Sequence, residues 1–380
     1  MPDPANDSEY MAAEMSIDQS ISLSCDDFGT DLVILDTTLL LEFEDLLRAN
    51  AMVVGAGTFG GVYMAVLEDG HMLAIKRLEE QALMNEHAFG KQCAHLAEVM
   101  HPNLLQMRAY CWSPQEKLLI FDYMPNGSVY SLLHGDGEKQ AKGSDWATRL
   151  RIAVGTARAL AHLHDNDMVH GNMKATNVLL DEHFEPRVSD FGLEALLQAP
   201  LQHTGTAGYL TPELYITTRH HSQDGDVYSL GVLLLELLTG LEPMGKNNMD
   251  LPTWVQEMAS SNRTVEIFDP ALVSLHVLPA QDVLEFLELA LACVSEDARA
   301  RPSITIVLRR LEAIVPGSAG PRYVQEDHHN DSDDNPFSSG FNSSSKGTSN
   351  DSTESRVASP VSSVGSFYSN VSSVSNSPLR

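Results

Sequence analysis

Gly55-Ala56-Gly57-Thr58-Phe59-Gly60 is a GxGxxG run. Glycines at this spacing let backbone amides approach a phosphate, because no Cβ stands in the way. Alone the motif is weak. In a dinucleotide-binding fold it opens a helix, whereas here it runs into Gly61-Val62-Tyr63-Met64-Ala65-Val66-Leu67, which reads as a strand. A glycine-rich loop between two strands can instead fold over a nucleotide's phosphates, with Val62 packing on the base. A plain glycine-rich hairpin is the ordinary alternative. Leu73-Ala74-Ile75-Lys76 follows, an apolar strand ending in a lysine sixteen residues past Gly60. A single strand-end lysine is usually solvated, but one that follows such a loop can aim its ammonium at the phosphates.

Other reactive pairings are weaker. His220-His221 and His328-His329 are adjacent pairs, and adjacent side chains rarely converge on one metal ion. His162 and His164 lie in a helical stretch and read as structural. No GxSxG hydrolase elbow is present. The four cysteines, Cys25, Cys93, Cys111 and Cys293, form no CxxC pair, which fits a reducing compartment and excludes a disulfide scaffold.

The elements that must hold the loop and the lysine divide into two kinds. Met52–Val54, Val62–Leu67, Met72–Ile75 and Leu118–Phe121 are short apolar runs of strand character, and Glu68-Asp69-Gly70 is a hairpin turn between two of them. Phe89, Cys93, Leu96 and Met100 recur at helical spacing and predict a helix over about 85–100. Beyond Pro125-Asn126-Gly127-Ser128 the pattern turns helical, with helices expected over 145–164, 225–239, 252–260, 280–293 and 303–314. The class is α+β: a small β-rich unit with one helix, then a larger α-rich unit.

Acids number 52 against 24 Lys plus Arg, a net charge of −28. That balance gives no basic face for nucleic acid. The charge is uneven, since residues 1–47 hold 12 acids and no Lys or Arg, and residues 318–380 hold 19 serines. The expected organisation is an acidic disordered arm over 1–40, a folded domain over 41–316 divided into lobes at about 50–123 and 124–316, and a Ser-rich disordered tail over 317–380. Ser359 and Ser377 each precede a proline and are candidate phosphorylation sites in that tail. No apolar run reaches membrane-spanning length, because Glu236 interrupts the greasiest stretch, Leu230 to Leu241.

The motifs downstream of Lys76 carry a resemblance. His170-Gly171-Asn172-Met173-Lys174-Ala175-Thr176-Asn177 is similar to the H-R-D-x-K-x-x-N loop of protein kinases, Asp190-Phe191-Gly192 to D-F-G, and Thr211-Pro212-Glu213 to A-P-E. Asp226-Val227-Tyr228-Ser229-Leu230-Gly231 looks like that family's buried helix with its structural aspartate, and Arg301 stands where an arginine pairs with the A-P-E glutamate, here Glu213. Over residues 50–315 the chain resembles a protein kinase, and Phe43–Ala49, Glu68–Gly70 and Phe121–Ser128 resemble the plant receptor-like kinases of the leucine-rich-repeat subgroup. The resemblance implies a bilobal kinase fold with a β-rich N-lobe carrying one regulatory helix and a larger α-helical C-lobe. It implies ATP and Mg2+ as cofactors, with Asp190 and Asn177 as metal ligands. Lys174 would contact the γ-phosphate, and Thr206 would link the substrate platform to the catalytic loop, as in the Ser/Thr-directed branch. Main-chain groups of Tyr123 and Met124 would bond adenine with Phe121 behind them, and Ala74 and Leu179 complete the cofactor positions. The implied partners are protein substrates or other receptor-like kinases. The implied location is cytoplasmic, at the inner face of the plasma membrane where partners or a preceding receptor portion hold it there.

Three departures bear on activity. Asn172 stands where the family has its catalytic aspartate, and an amide cannot take a hydroxyl proton. Counting from His101 and Phe89 puts Gln92 at the regulatory helix's glutamate; it can accept a hydrogen bond from Lys76 but supplies no charge. Glu86 and Glu98 lie six residues away and off that face. Gly171 replaces the arginine that meets an activation-loop phosphate, so phosphorylation of Thr204, Thr206 or Thr211 is not expected to act as the usual switch. The reading is an impaired kinase that still binds nucleotide; the alternative is an active Ser/Thr kinase with an atypical loop.

Overall fold

The structure is a computed structural model that describes residues 31–36, 41–57, 60–78, 85–113, 116–135, 145–193, 196, 208–216, 221–244, 249–274 and 281–315. The described residues lie within one compact unit ending at Val315.

Its first half is an antiparallel sheet. In chain order the strands are β1 (Asp31–Ile34), β2 (Asn50–Gly57), β3 (Gly60–Val66), β4 (Met72–Leu78), β5 (Met107–Trp112) and β6 (Lys117–Asp122), and in space they run β1-β5-β6-β4-β3-β2. Strand alternation splits the side chains between two faces. Leu73, Ile75, Ala109, Cys111, Leu118 and Ile120 point to one face, where Leu46 of helix α1 (Phe43–Arg48) closes a small core. Tyr110 and Leu119 point to the other, against helix α2 (Glu86–Glu98) with its buried Phe89, Cys93 and Leu96. The Glu68–Gly70 turn joins β3 to β4 as expected, with Gly70 at φ +87°.

Two features of this half depart from the sequence reading. The acidic arm was expected to be disordered through residue 40, yet Asp31–Ile34 pairs with β5, Leu32 opposite Cys111. Leu32 and Ile34 pack on the small core, so the arm's last apolar residues have a surface to bury. Strand β5 was not foreseen at all; it is buried on both faces and so lacks the polar alternation that marks a half-exposed strand.

The second half is helical: α3 (Val129–His134), α4 (Trp146–Asp165), α5 (Pro212–Ile216), α6 (Gln223–Thr239), α7 (Leu251–Ser260), α8 (Pro270–Ser274), α9 (Gln281–Cys293) and α10 (Ile304–Ile314), with a small ribbon of β7 (Val178–Leu180) and β8 (Pro186–Val188). Side chains set the helix starts. Asn85, Asp145, Ser222 and Asp250 each accept a backbone N–H from the first turn of α2, α4, α6 and α7. Gly240 ends α6 at φ +66°. Helix α6 is buried on every side, and α4, α9 and α10 complete the core around it. Among the described residues no helix is long and apolar enough to cross a membrane.

The pairing foreseen for Arg301 is present. Its guanidinium grips Glu213 with two bonds, 2.7 and 2.8 Å, and also donates to the carbonyls of Ser295 and Asp224. The arginine side chain is fully buried while the carboxylate keeps 29% exposure. Arg301→Ala should therefore cost about 3 kcal/mol, the low end for breaking a buried pair. Urea unfolding of the two proteins measures this, and a loss under about 1 kcal/mol, the range of a surface pair, would refute it.

Candidate functional site

The site forms where β4, α2, the segment after α4 and the β8–Phe191 segment converge. Its frame is one carboxylate. Asp226, in the first turn of α6, is buried and accepts the backbone N–H groups of His170 and Gly171, each at 2.8 Å, and His164 Nε2 at 3.0 Å. His164 is thus structural, as read, and His162 stacks on His101. The fold bends the Gly171 backbone to φ +72°, and an added Cβ there would meet the His221 side chain at 3.3–3.5 Å.

His170 then ties this loop to the next segment. Its Nε2 lies 2.9 Å from the Ser189 carbonyl and its Nδ1 accepts the Asn172 N–H at 3.2 Å, so the neutral ring donates at Nε2. Burial holds its pKa below the usual imidazole value, against the opposing pull of Asp226, Asp190 and the Ser189 carbonyl. Asn177 donates through Nδ2 to the Asn172 carbonyl at 2.8 Å, and its own carbonyl accepts from the Ser189 N–H and Oγ. The backbone of Asn172 is therefore fixed from both sides. Its side-chain Nδ2 is buried and makes no hydrogen bond among the described residues.

Asp190 sits at φ +68°, a conformation that Asp tolerates better than most residues. Lys76 Nζ donates to both of its carboxylate oxygens at 2.6 Å. Gly192, at φ +70°, lies so close to Leu96 of α2 that a Cβ would fall 2.3 Å from Leu96 Cδ2. Glycine suits both the positive φ and the close approach of Leu96. Gln92 is half-buried one helical turn before Leu96. The Lys76 ammonium reaches the charged acceptor Asp190, where a bond is stronger than to a neutral amide. Lys174 is buried, and burial lowers its pKa; Asp190 opposes that shift and Lys76 adds to it.

Strand register brings the remaining positions together. Lys76 lies opposite Val62 and Leu119, and Ala74 lies between Met64 and Phe121. Ala74, Lys76 and Val62 thus share the sheet face toward Asp190. Leu179 of β7 bridges to Ser128, just past the linker between the halves. In that linker Tyr123 donates its N–H to the Met72 carbonyl at 3.2 Å, so a ligand there would meet its carbonyl rather than its N–H. The Met124 carbonyl accepts from Gly127, while its N–H has no partner among the described residues. A Cβ at Gly55 would meet nothing within 4 Å. Ala56, Gly57 and Gly60 continue the β2–β3 hairpin, Gly57 opposite Gly60. Thr58, Phe59, Thr206, Thr204, His220, His328, His329, Cys25, Ser359 and Ser377 lie outside the described residues. Thr211 is buried.

One network was missed. Tyr209 Oη accepts the Ala175 N–H at 3.0 Å and donates to Glu236, whose other oxygen lies 2.7 Å from His134 Nε2. Burial raises the pKa of both Glu236 and Tyr209. The signal was the one acid in the apolar α6 run, since a buried carboxylate needs partners.

Residues 49–311 match the protein kinase domain family, and the chain belongs to that family. Within it, its relatives are plant receptor-like kinases. A probable leucine-rich repeat receptor-like protein kinase of Arabidopsis thaliana is 42% identical over 300 residues, 76% of this chain and 44% of that protein. A protein of the same plant named a probable inactive receptor kinase is 40% identical over 290 residues, covering 74% and 45%. The chain thus spans less than half the length of these relatives. Among solved structures, the pseudokinase domain of BIR2, an immune regulator of the RLK/Pelle family, is 34% identical with TM-score 0.65, covering 75% of this chain and 90% of that one. The maize SIRK1 kinase domain bound to AMP-PNP is 31% identical with TM-score 0.66, covering 75% and 99%.

The neutral His170 has a consequence for stability. Because its folded pKa is lowered, the unfolded chain takes up a proton below pH ~6.5 that the folded chain refuses, so stability falls as pH drops through that value. His170→Asn should remove up to about 1.4 kcal/mol per pH unit of that fall. Unfolding free energies of both proteins at pH 7 and pH 5.5 measure the difference, and parallel pH slopes would exclude it.

Proposed function

We propose that this chain is a kinase-like signalling domain, residues 41–316 with lobes meeting near 123/124, that binds ATP in the cleft between those lobes and is impaired in phosphotransfer. It then serves as an interaction and regulatory module of receptor-like kinase signalling on the cytoplasmic side, with other receptor-like kinases as its partners. The observation that carries this reading is Asn172. Its backbone is held by His170 and Asn177, yet it presents an amide whose buried Nδ2 can only donate. A general base contributes about 10²–10⁴-fold. The loose transition state of phosphoryl transfer needs orientation more than basicity, which makes the deficit partial rather than total.

Several features support the nucleotide half. The Met124 N–H is open to a ring nitrogen, Ala74 and Leu179 offer small and apolar surface to a base, and the space beside Gly55 is clear. The maize SIRK1 domain, related across three quarters of this chain, is bound to AMP-PNP. Asp190 and the Asn177 Oδ1 are hard oxygen donors of the type that suits magnesium, and they would hold it. When bound, that ion would neutralise phosphate charge. The relatives named as inactive, and the pseudokinase BIR2, support the impaired half. The second reading, an active Ser/Thr kinase, draws support from Lys174, a buried lysine whose charge interacts with that of Asp190.

A phosphotransfer assay on the purified chain separates the two. The native chain should show little turnover and Asn172→Asp should raise it by about 10²-fold. Turnover by the native chain that disappears in Lys76→Ala would overturn the impaired reading. Independently, ATP at about 100 times its dissociation constant should add about 2.7 kcal/mol of stability, seen as a rise in melting temperature.

A further inference from the structure

Asn172 is 3% exposed, and its Nδ2 has no hydrogen-bond partner among the described residues. Other buried nitrogens share that state, but Arg108, Arg149 and Arg187 bond through their remaining guanidinium nitrogens. Asn172 has a single side-chain nitrogen and no such recourse. Its backbone is not free to shift and relieve the side chain. The N–H is held by His170 Nδ1 at 3.2 Å and the carbonyl by Asn177 Nδ2 at 2.8 Å. A donor kept buried and unpaired in an otherwise bonded loop calls for an acceptor.

The surroundings give the class of that acceptor. Asn177, which bonds Asn172, also accepts from Ser189 through its own carbonyl, and Asp190 follows with Lys76 at 2.6 Å. Lys174, two residues past Asn172, interacts electrostatically with both Asp190 and Lys76. The amide thus belongs to the network at the phosphate end of the cleft, away from the Met124 linker that would take the base. An anionic phosphate oxygen is the acceptor that such an N–H bonds most strongly. A carboxylate at the same position would repel that oxygen.

We propose that Asn172 donates through Nδ2 to the terminal phosphate of a bound nucleoside triphosphate, so that the cleft tells a triphosphate from a diphosphate. The inference rests on the nucleotide-site reading above and keeps its magnesium positions. ATP and ADP share the base, the ribose and two phosphates, so Met124, Ala74 and Asp190 meet both alike. Only the triphosphate supplies the acceptor for Asn172. A domain that holds its nucleotide without rapid turnover then reports which of the two is bound.

Calorimetric titration of the full chain in excess Mg2+ tests this, with AMP-PNP as the triphosphate that is not turned over and ADP as the diphosphate. The native chain should bind AMP-PNP at least about tenfold tighter than ADP, the low end for a bond to a charged acceptor. Asn172→Ala removes the donor and Asn172→Asp replaces it with a like charge, so in each the preference should fall by about fivefold or more. Circular dichroism melting establishes that both variants are folded before they are titrated. A native preference under about tenfold, or one that persists in either variant, overturns the inference and leaves the nucleotide site intact. Failure of the native chain to bind either nucleotide removes the site and the inference together.

Discussion

The arrangement of the cleft depends on the buried carboxylate of Asp226. Two consecutive backbone N–H groups, His170 and Gly171, converge on it, and His164 completes its shell. Without that acceptor the loop would bury two unpaired donors, each costing about 1–3 kcal/mol. The loop therefore has one conformation available, and everything that follows inherits it. His170 is aimed at Ser189, Asn177 at the Asn172 carbonyl, and the Ser189–Gly192 strand end is carried to Lys76. A long helix with its N-terminus anchored in the core is thus the reference for side chains fifty residues earlier in the chain.

Charge is what has changed within this preserved frame. Gln92, Asn172 and Gly171 are uncharged at positions where the resemblance to the family implies two acids and a base. Amides keep the size and much of the hydrogen bonding of the acids, so backbone geometry survives the exchange. An amide carries no negative charge to pair with a cation and has no basic site to take a hydroxyl proton. Lys76 pairs with the acid that remains, Asp190. The Tyr209–Glu236–His134 network lies outside the altered set, and there the acid is kept, anchoring the Ala175 end of the same loop.

Much of this was legible in the sequence, for identifiable reasons. The helical pattern placed α2, α4, α6, α7, α9 and α10 close to where they start, and the capping by Asn85, Asp145, Ser222 and Asp250 emerged from the structure. Ordered motifs placed Lys76, Asn177, Asp190 and the Arg301–Glu213 pair, because each has one neighbourhood in the fold. What escaped is non-local. Strand β5 is buried on both faces and shows no alternation, and β1 exists only because β5 offers it an edge. The use of the Tyr123 N–H follows from strand register with Met72, which no local pattern encodes.

Asn172 shows how far the frame tolerates the change. Its Nδ2 is a buried donor without a partner among the described residues, one of several buried side-chain atoms so placed. A carboxylate in its place would need no donor, and the ammonium of Lys174 two residues on is the kind of group that stabilises it. The amide gains nothing from that ammonium and leaves an N–H unsatisfied. Stability alone therefore gives no reason for the amide, and the loop around it is already shaped for the acid. The substitution is intelligible as a change of chemistry laid on an intact scaffold, whose surrounding hydrogen bonds are kept.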